Sequence, residues 1–192
     1  MIRSLARAAL AATFAAALVA APADAQYATP RLALEGNALY GTMSGRDIRD
    51  LGDATGFDVQ ARLGVQAFSI GGGYLRTSQS VRTTSSDAVM SGLFVEPRLN
   101  LPFYYSSFTP YISGRLARLH QRDDRGITGL AATSVGGGLG VLGRVAPAVS
   151  VNLAGTYQSV RYRYDDVADP RGSRFTGTSF DLRAGLSLGF GG

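Results

Sequence analysis

The segment Phe57–Phe68 reads FDVQARLGVQAF. Phe57, Val59, Ala61, Leu63, Val65 and Ala67 fall on one face, and Asp58, Gln60, Arg62, Gly64 and Gln66 on the other. A strict period of two marks a β-strand with one apolar and one polar side, because successive side chains leave a pleated backbone in opposite directions.

The pattern recurs on both sides of this segment. Before it, Leu32–Thr42 sets Leu32, Leu34, Ala38 and Tyr40 against Glu35 and Asn37, and Met43–Gly56 reads as a polar loop. After it comes a tight connection near Ala67–Ser69, then a third strand over about Ser69–Thr77. That strand contains Gly71-Gly72-Gly73, and its alternation leaves the facing open. Ser78–Asp87 is a Ser/Thr-rich loop. The fourth strand, Ala88–Leu101, sets Leu93, Val95, Pro97, Leu99 and Leu101 against Glu96, Arg98 and Asn100. Proline removes a ladder donor, so a bulge is expected at Pro97.

Phe103–Ser107 is an aromatic-flanked turn. The fifth strand, Thr109–His120, has Ile112, Gly114 and Leu116 on one face and Tyr111, Ser113 and Arg115 on the other; QRDDRGITG follows as a loop. The sixth spans about Ala132–Val145 and turns at Ala146-Pro147-Ala148. The seventh, Val149–Tyr162, opposes Val149, Val151, Leu153 and Tyr157 to Ser150, Asn152, Thr156 and Gln158. RYDDVADPRGSRFTG is the last loop, and the strand Thr178–Phe190 sets Phe180, Leu182, Ala184, Leu186, Leu188 and Phe190 against Asp181, Arg183, Gly185 and Ser187.

Eight strands with alternating long polar and short connections predict an all-β fold, a closed up-and-down antiparallel transmembrane barrel with long external loops and short periplasmic turns. Three features set the apolar face outward. The polar face carries few charges and many small residues, Gly64, Gly136, Gly138, Gly140, Ser150, Gly185 and Ser187 among them. A water-facing surface is about a quarter to a third charged, whereas a narrow eight-stranded lumen needs small groups. The charges on that face come in both signs, Glu35, Glu96 and Asp181 with Arg62, Arg98, Arg115 and Arg183, and so can pair inside a lumen. Aromatic residues gather at two levels: Tyr40, Phe57, Tyr157 and Phe180 toward one rim, Phe103, Tyr104, Tyr105, Phe108 and Phe190 toward the other. Two such girdles bracket the apolar band of a membrane barrel.

On these strands and the closing SFDLRAGLSLGF, Leu32–Phe190 resembles the small eight-stranded outer-membrane barrels of the OmpA transmembrane-domain and OmpX type. The resemblance implies an assembly signal in the last strand, Phe180, Leu182, Leu186, Leu188 and Phe190, read by the barrel-assembly machinery. Here Gly191 and Gly192 follow the terminal aromatic, a departure from that pattern. Members of that family range from structural anchors to adhesins and lipid-modifying enzymes, so the resemblance does not select an activity.

The remaining composition agrees with an envelope protein. Arg3 and Arg7 precede the apolar run AALAATFAAALVAA, and Ala23-Asp24-Ala25 offers small residues where a signal peptidase reads. Residues 1–25 are expected to be a signal peptide and 26–192 the barrel domain, in the cell outer membrane. Cysteine is absent, which excludes disulfides, zinc–thiolate sites and a lipidated N-terminus. Lysine is absent too. Without the leader, 17 arginines stand against 13 carboxylates, and they form no basic run of the kind nucleic acid requires.

Candidate chemistry is sparse. Gly138–Gly143 matches G-x-G-x-x-G but lies within a strand, without the helix whose N-terminus would meet a pyrophosphate. His120, the only histidine, lies close to Asp123 and Asp124 in a pattern a general base would need, but Arg122 stands where a His-x-Ser deacylase motif requires serine. Asp165, Asp166 and Asp169 lack the order and glycine of a calcium loop. Arg161, Arg163, Arg171 and Arg174 surround them, suited to pairing in the loop or to lipopolysaccharide phosphates. No catalytic, metal or cofactor site is expected. The sequence points to a monomeric barrel with a structural or surface-interaction role, its lumen plugged by the charged network. Its partners are membrane lipid and lipopolysaccharide. The alternatives are a barrel enzyme acting on lipid A or peptides through His120 with Asp123 or Asp124, and a soluble periplasmic ligand-binding barrel.

Overall fold

The computed structural model describes residues 31–45, 51–65, 67–81, 87–101, 107–123, 128–164 and 174–190. The leader at 1–25, Phe103, Tyr104, Tyr105, Asp124, Asp165, Asp166, Asp169, Arg171, Gly191 and Gly192 lie outside the described residues. Among the described residues no helix is long and apolar enough to cross a membrane, a fact that does not bear on strands.

Alternation carried through the chain yields eight strands: β1 (Arg31–Ser44), β2 (Leu51–Gly64), β3 (Phe68–Val81), β4 (Asp87–Asn100), β5 (Phe108–Asp123), β6 (Thr128–Ala146), β7 (Val149–Tyr164) and β8 (Arg174–Phe190). Each pairs antiparallel with its neighbour in sequence, and β8 returns to β1, with Leu32 opposite Phe190 and Ser44 opposite Thr178. Closure leaves no strand edge unpaired, so the backbone donors and acceptors are satisfied without water. The β1–β2, β3–β4, β5–β6 and β7–β8 connections meet at one end, the loop end. The other three connections and both chain termini of the barrel meet at the turn end.

The strands reach further toward the loop end than their apolar alternation. β2 begins at Leu51, within the stretch read as a loop, and β3 continues to Val81, β5 to Asp123 and β8 back to Arg174. Polar residues at these ends pair through the backbone ladder, which is indifferent to side-chain polarity. The expected bulge at Pro97 does not occur. The β3–β4 register runs unbroken through Ile70 opposite Pro97, and the β4–β5 register is the same on both sides. The missing donor instead makes the β4–β5 ladder lapse between the pairs Val95–Leu116 and Arg98–Ser113. Bulges fall elsewhere, between Leu51 and Ala54, Gln121 and Arg122, and Arg144 and Ala146.

The third strand now has a facing. Ser69, Gly71, Leu75 and Gln79 point inward, and Ile70, Gly72, Tyr74 and Arg76 outward. The outer wall is apolar over most of its height: Leu93 is 69 % exposed, Leu139 67 % and Leu63 54 %. Tyr40, Phe57, Tyr157 and Phe180 lie exposed on this wall toward the loop end, joined by Tyr74, while Phe108 and Phe190 lie exposed toward the turn end. The described part of both girdles stands where alternation set it.

Candidate functional site: the lumen

Inside the barrel, charge occupies the layer nearer the turn end. Glu96 of β4, fully buried, meets four guanidinium groups. Its Oε1 accepts from Arg62 at 3.0 Å and Arg98 at 3.1 Å; its Oε2 accepts from Arg115 at 3.0 Å and Arg183 at 2.6 Å. Four strands, β2, β4, β5 and β8, thus converge on one carboxylate. Glu35 of β1 takes a bidentate pair from Arg98 at 3.0 and 3.1 Å, with Gln60 donating to Oε2 at 2.8 Å. The planar fork of arginine matches a carboxylate in this way, whereas an ammonium would present one point charge.

A third carboxylate completes the layer. Asp58 of β2 accepts from Arg115 at 2.6 Å and from Asn37 at 2.7 Å. The Asn37 carbonyl accepts in turn from Asn152 at 2.8 Å, and Asn152 accepts from the Tyr111 hydroxyl at 2.7 Å. Arg98 also lies 3.9 Å above the Tyr111 ring centroid, and Arg115 lies 4.0 Å from that of Phe94. Alternation puts Asp58 on the polar face, but the charged set read from the sequence omits it. Its partners are 57 and 21 residues away, and no local spacing announces a contact across a barrel.

Of the seven expected lumen residues, Glu35, Arg62, Glu96, Arg98, Arg115 and Arg183 form one ion-paired network. Asp181 is the exception. It faces the lumen in the next layer toward the loop end, accepts from Gln158 at 2.6 Å and Ser179 at 3.2 Å, and forms no ion pair among the described residues. Glycine makes room for the network: a methyl group on Gly71 would overlap Gln60 Oε1 and the Arg62 guanidinium, and one on Gly140 would overlap the Tyr111 ring. Gly140 belongs to the G-x-G-x-x-G match, which lies wholly inside β6 with another strand after it. Gly138 and Gly140 hold lumen volume in place of a phosphate cradle, and Gly143 lies beneath the Phe108 ring on the outer wall.

Beyond the charged layer the lumen turns apolar. Leu39, Leu75, Phe94, Leu119 and Val160 belong to one packed cluster there, and all but Phe94 line a cavity of about 30 Å³. His120 takes no part in the lumen. It is exposed on the outer wall, opposite Ser91 and Ala131. β5 carries both His120 and Asp123, three positions apart on one unbroken strand. Arg118 of β5 and Arg161 and Arg163 of β7 share the outer wall with His120, all exposed. The β6 residues Thr133 and Ala131 lie between the two strands' basic positions. Among the described residues no group of three or more histidine, aspartate or glutamate side chains gathers as a metal site.

No family model and no curated protein matches the sequence. Solved structures do match the fold. Neisserial surface protein A superposes with a TM-score of 0.63 at 18 % identity, over 82 % of this chain and 96 % of that one. Ail, the attachment invasion locus protein of Yersinia pestis, gives 0.52 at 12 % identity over 83 % and 98 %. The outer membrane protein OprG of Pseudomonas aeruginosa gives 0.51 at 10 % identity over 86 % and 97 %. The chain has the fold of the small eight-stranded outer-membrane barrels, and nearly the whole length of each relative is covered.

Proposed function

We propose that this protein is an outer-membrane barrel with a structural or surface-interaction role and no catalysis, its lumen plugged by the arginine–carboxylate network and its loop end facing outside the cell. The observation that carries the reading is the outer wall. A belt of exposed leucine, valine and isoleucine, with exposed tyrosine and phenylalanine toward the loop end and Phe108 and Phe190 toward the turn end, has no stable place in water. It is the surface a bilayer covers. The charged layer supports the plug: seven ionised side chains, each at most 5 % exposed, occupy the cross-section, as is usual for a barrel of eight strands. The last strand, Phe180 to Phe190, supplies the alternation through which the assembly machinery would recognise the chain. Toward the loop end, Arg118, His120, Arg161 and Arg163 sit at the aromatic ring and beyond it, where lipopolysaccharide phosphates would meet guanidinium groups.

An epitope inserted at position 168, in the connection between β7 and β8, tests the orientation and with it the surface role. Antibody is expected to label intact cells. Labelling only after the outer membrane is permeabilised would place the loops inside and remove the surface role.

A further inference from the structure

Apart from Met1 the sequence contains two methionines, Met43 and Met90, 47 positions apart. The barrel brings both into the lumen near its loop end, from β1 and β4, and turns them toward the same two polar groups. Gln79 of β3 places its side-chain nitrogen 3.4 Å from the Met43 sulfur and 3.5 Å from that of Met90. The Tyr162 hydroxyl of β7 lies 3.3 Å from the first sulfur and 3.8 Å from the second. Met90, Gln79 and Tyr162 are each 1 % exposed.

Packing alone does not account for this arrangement. Methionine fills irregular gaps because its thioether is flexible and nearly apolar. A gap-filler needs no polar partner, and a thioether is too weak an acceptor to justify burying an amide. Gln79 is nevertheless buried, and its Oε1 has no hydrogen-bond partner among the described residues, an arrangement that costs about 1–3 kcal/mol. Rotating the amide by half a turn presents that oxygen to both sulfurs. Asp181, the one lumen carboxylate identified above as outside the ion-paired network, lines the same small cavity as Met43, Gln79 and Met90. Lone pairs from two sulfurs and two oxygens, with the Asp181 carboxyl group lining the same cavity, are arranged for a cation.

We propose that Met43, Met90, Gln79 and Tyr162 form a binding site for one soft monovalent metal ion of the Cu(I) or Ag(I) class at the outer mouth of the lumen. The spacing suits a tetrahedral ion. A metal–sulfur bond of about 2.3 Å, the length zinc makes to thiolate, spaces ligand atoms about 3.7 Å apart, and the sulfurs lie 3.3 to 3.8 Å from the Gln79 amide nitrogen, whose place the oxygen takes on rotation, and from the Tyr162 hydroxyl. Thioether sulfur selects soft ions over magnesium, calcium or manganese, which prefer carboxylate oxygen and water. The surrounding Leu39, Leu75, Leu119 and Val160 form an apolar shell that limits water at the site. The four residues lie between positions 43 and 162, on β1, β3, β4 and β7, and include neither histidine nor cysteine, so no sequence spacing marks them.

Titration of the detergent-folded barrel with silver nitrate tests the site, in chloride-free buffer and with the methionine methyl groups labelled with carbon-13. The Met43 and Met90 methyl resonances are expected to shift together and saturate at one equivalent. Met43→Leu and Met90→Leu conserve volume, and each is expected to weaken binding at least tenfold, with heat-dependent gel migration confirming a folded barrel. Methyl resonances that stay unmoved in the unmutated protein, or a folded double variant that binds silver as tightly, would overturn the proposal. The experiment does not involve the loops or the cell surface, so its failure leaves the proposed surface role standing, and the converse holds.

Discussion

Glu96 is the residue with most at stake in the lumen. Ionised carboxylates and guanidinium groups leave water only at a cost of several kcal/mol each, which is recovered when every charge is met by an opposite one in good geometry. Here one carboxylate serves four arginines from β2, β4, β5 and β8, so removing it strands more positive charge than removing any other single group. Glu96→Gln is expected to lower stability by about 3–5 kcal/mol, the usual cost of breaking a buried pair. Urea unfolding in detergent, followed by tyrosine fluorescence since tryptophan is absent, measures it. A loss under about 1 kcal/mol would mean that water reaches the network and screens it. At this scale the sequence is informative about facing and silent about partners. Alternation placed Glu35, Arg62, Glu96, Arg98, Arg115 and Arg183 inside. It could not distinguish Asp58, which pairs, from Asp181, which does not, because that difference depends on which side chains reach across the barrel at the same height.

At the scale of the strands, the periodicity legible in the chain covers the part of each strand whose two faces meet different environments. Where β2, β3, β5 and β8 extend toward the loop end, polar residues break the alternation of the sequence, although the hydrogen-bonded ladder continues. Pro97 shows a second limit. Its lost donor predicts a defect in the ladder, and the barrel accommodates that defect by a local lapse in pairing with no residue inserted. The outward face of β4 offers the sharpest test of the wall. Val95 lies on that face between Gly72 and Leu116 and is 45 % exposed. An arginine there costs about 2–4 kcal/mol if hydrocarbon surrounds it. If water surrounds it, the change stays within about 0.5 kcal/mol. Val95→Arg is therefore expected to reduce the yield of folded barrel in lipid vesicles severely, and equal folding of variant and parent would contradict the lipid-facing wall.

For the whole molecule, eight tilted strands enclose a lumen narrow enough for side chains to fill, and the two halves of that lumen are filled differently. Paired charge near the turn end holds the strands together across the barrel. Apolar packing near the loop end surrounds two methionines, a glutamine and a tyrosine. The architecture and strand count were legible because each crossing repeats one simple pattern. The division of the lumen was not, since it arises from the stagger of strands, which alternation does not record. Every part of the account depends on the apolar wall being covered by a membrane. Fractionation of cells producing the full chain, with gel migration compared before and after boiling, tests that most directly. The account predicts recovery in the outer-membrane fraction, release only by detergent, and a shift in migration when the sample is boiled. Folded protein recovered in the aqueous periplasmic fraction would contradict it.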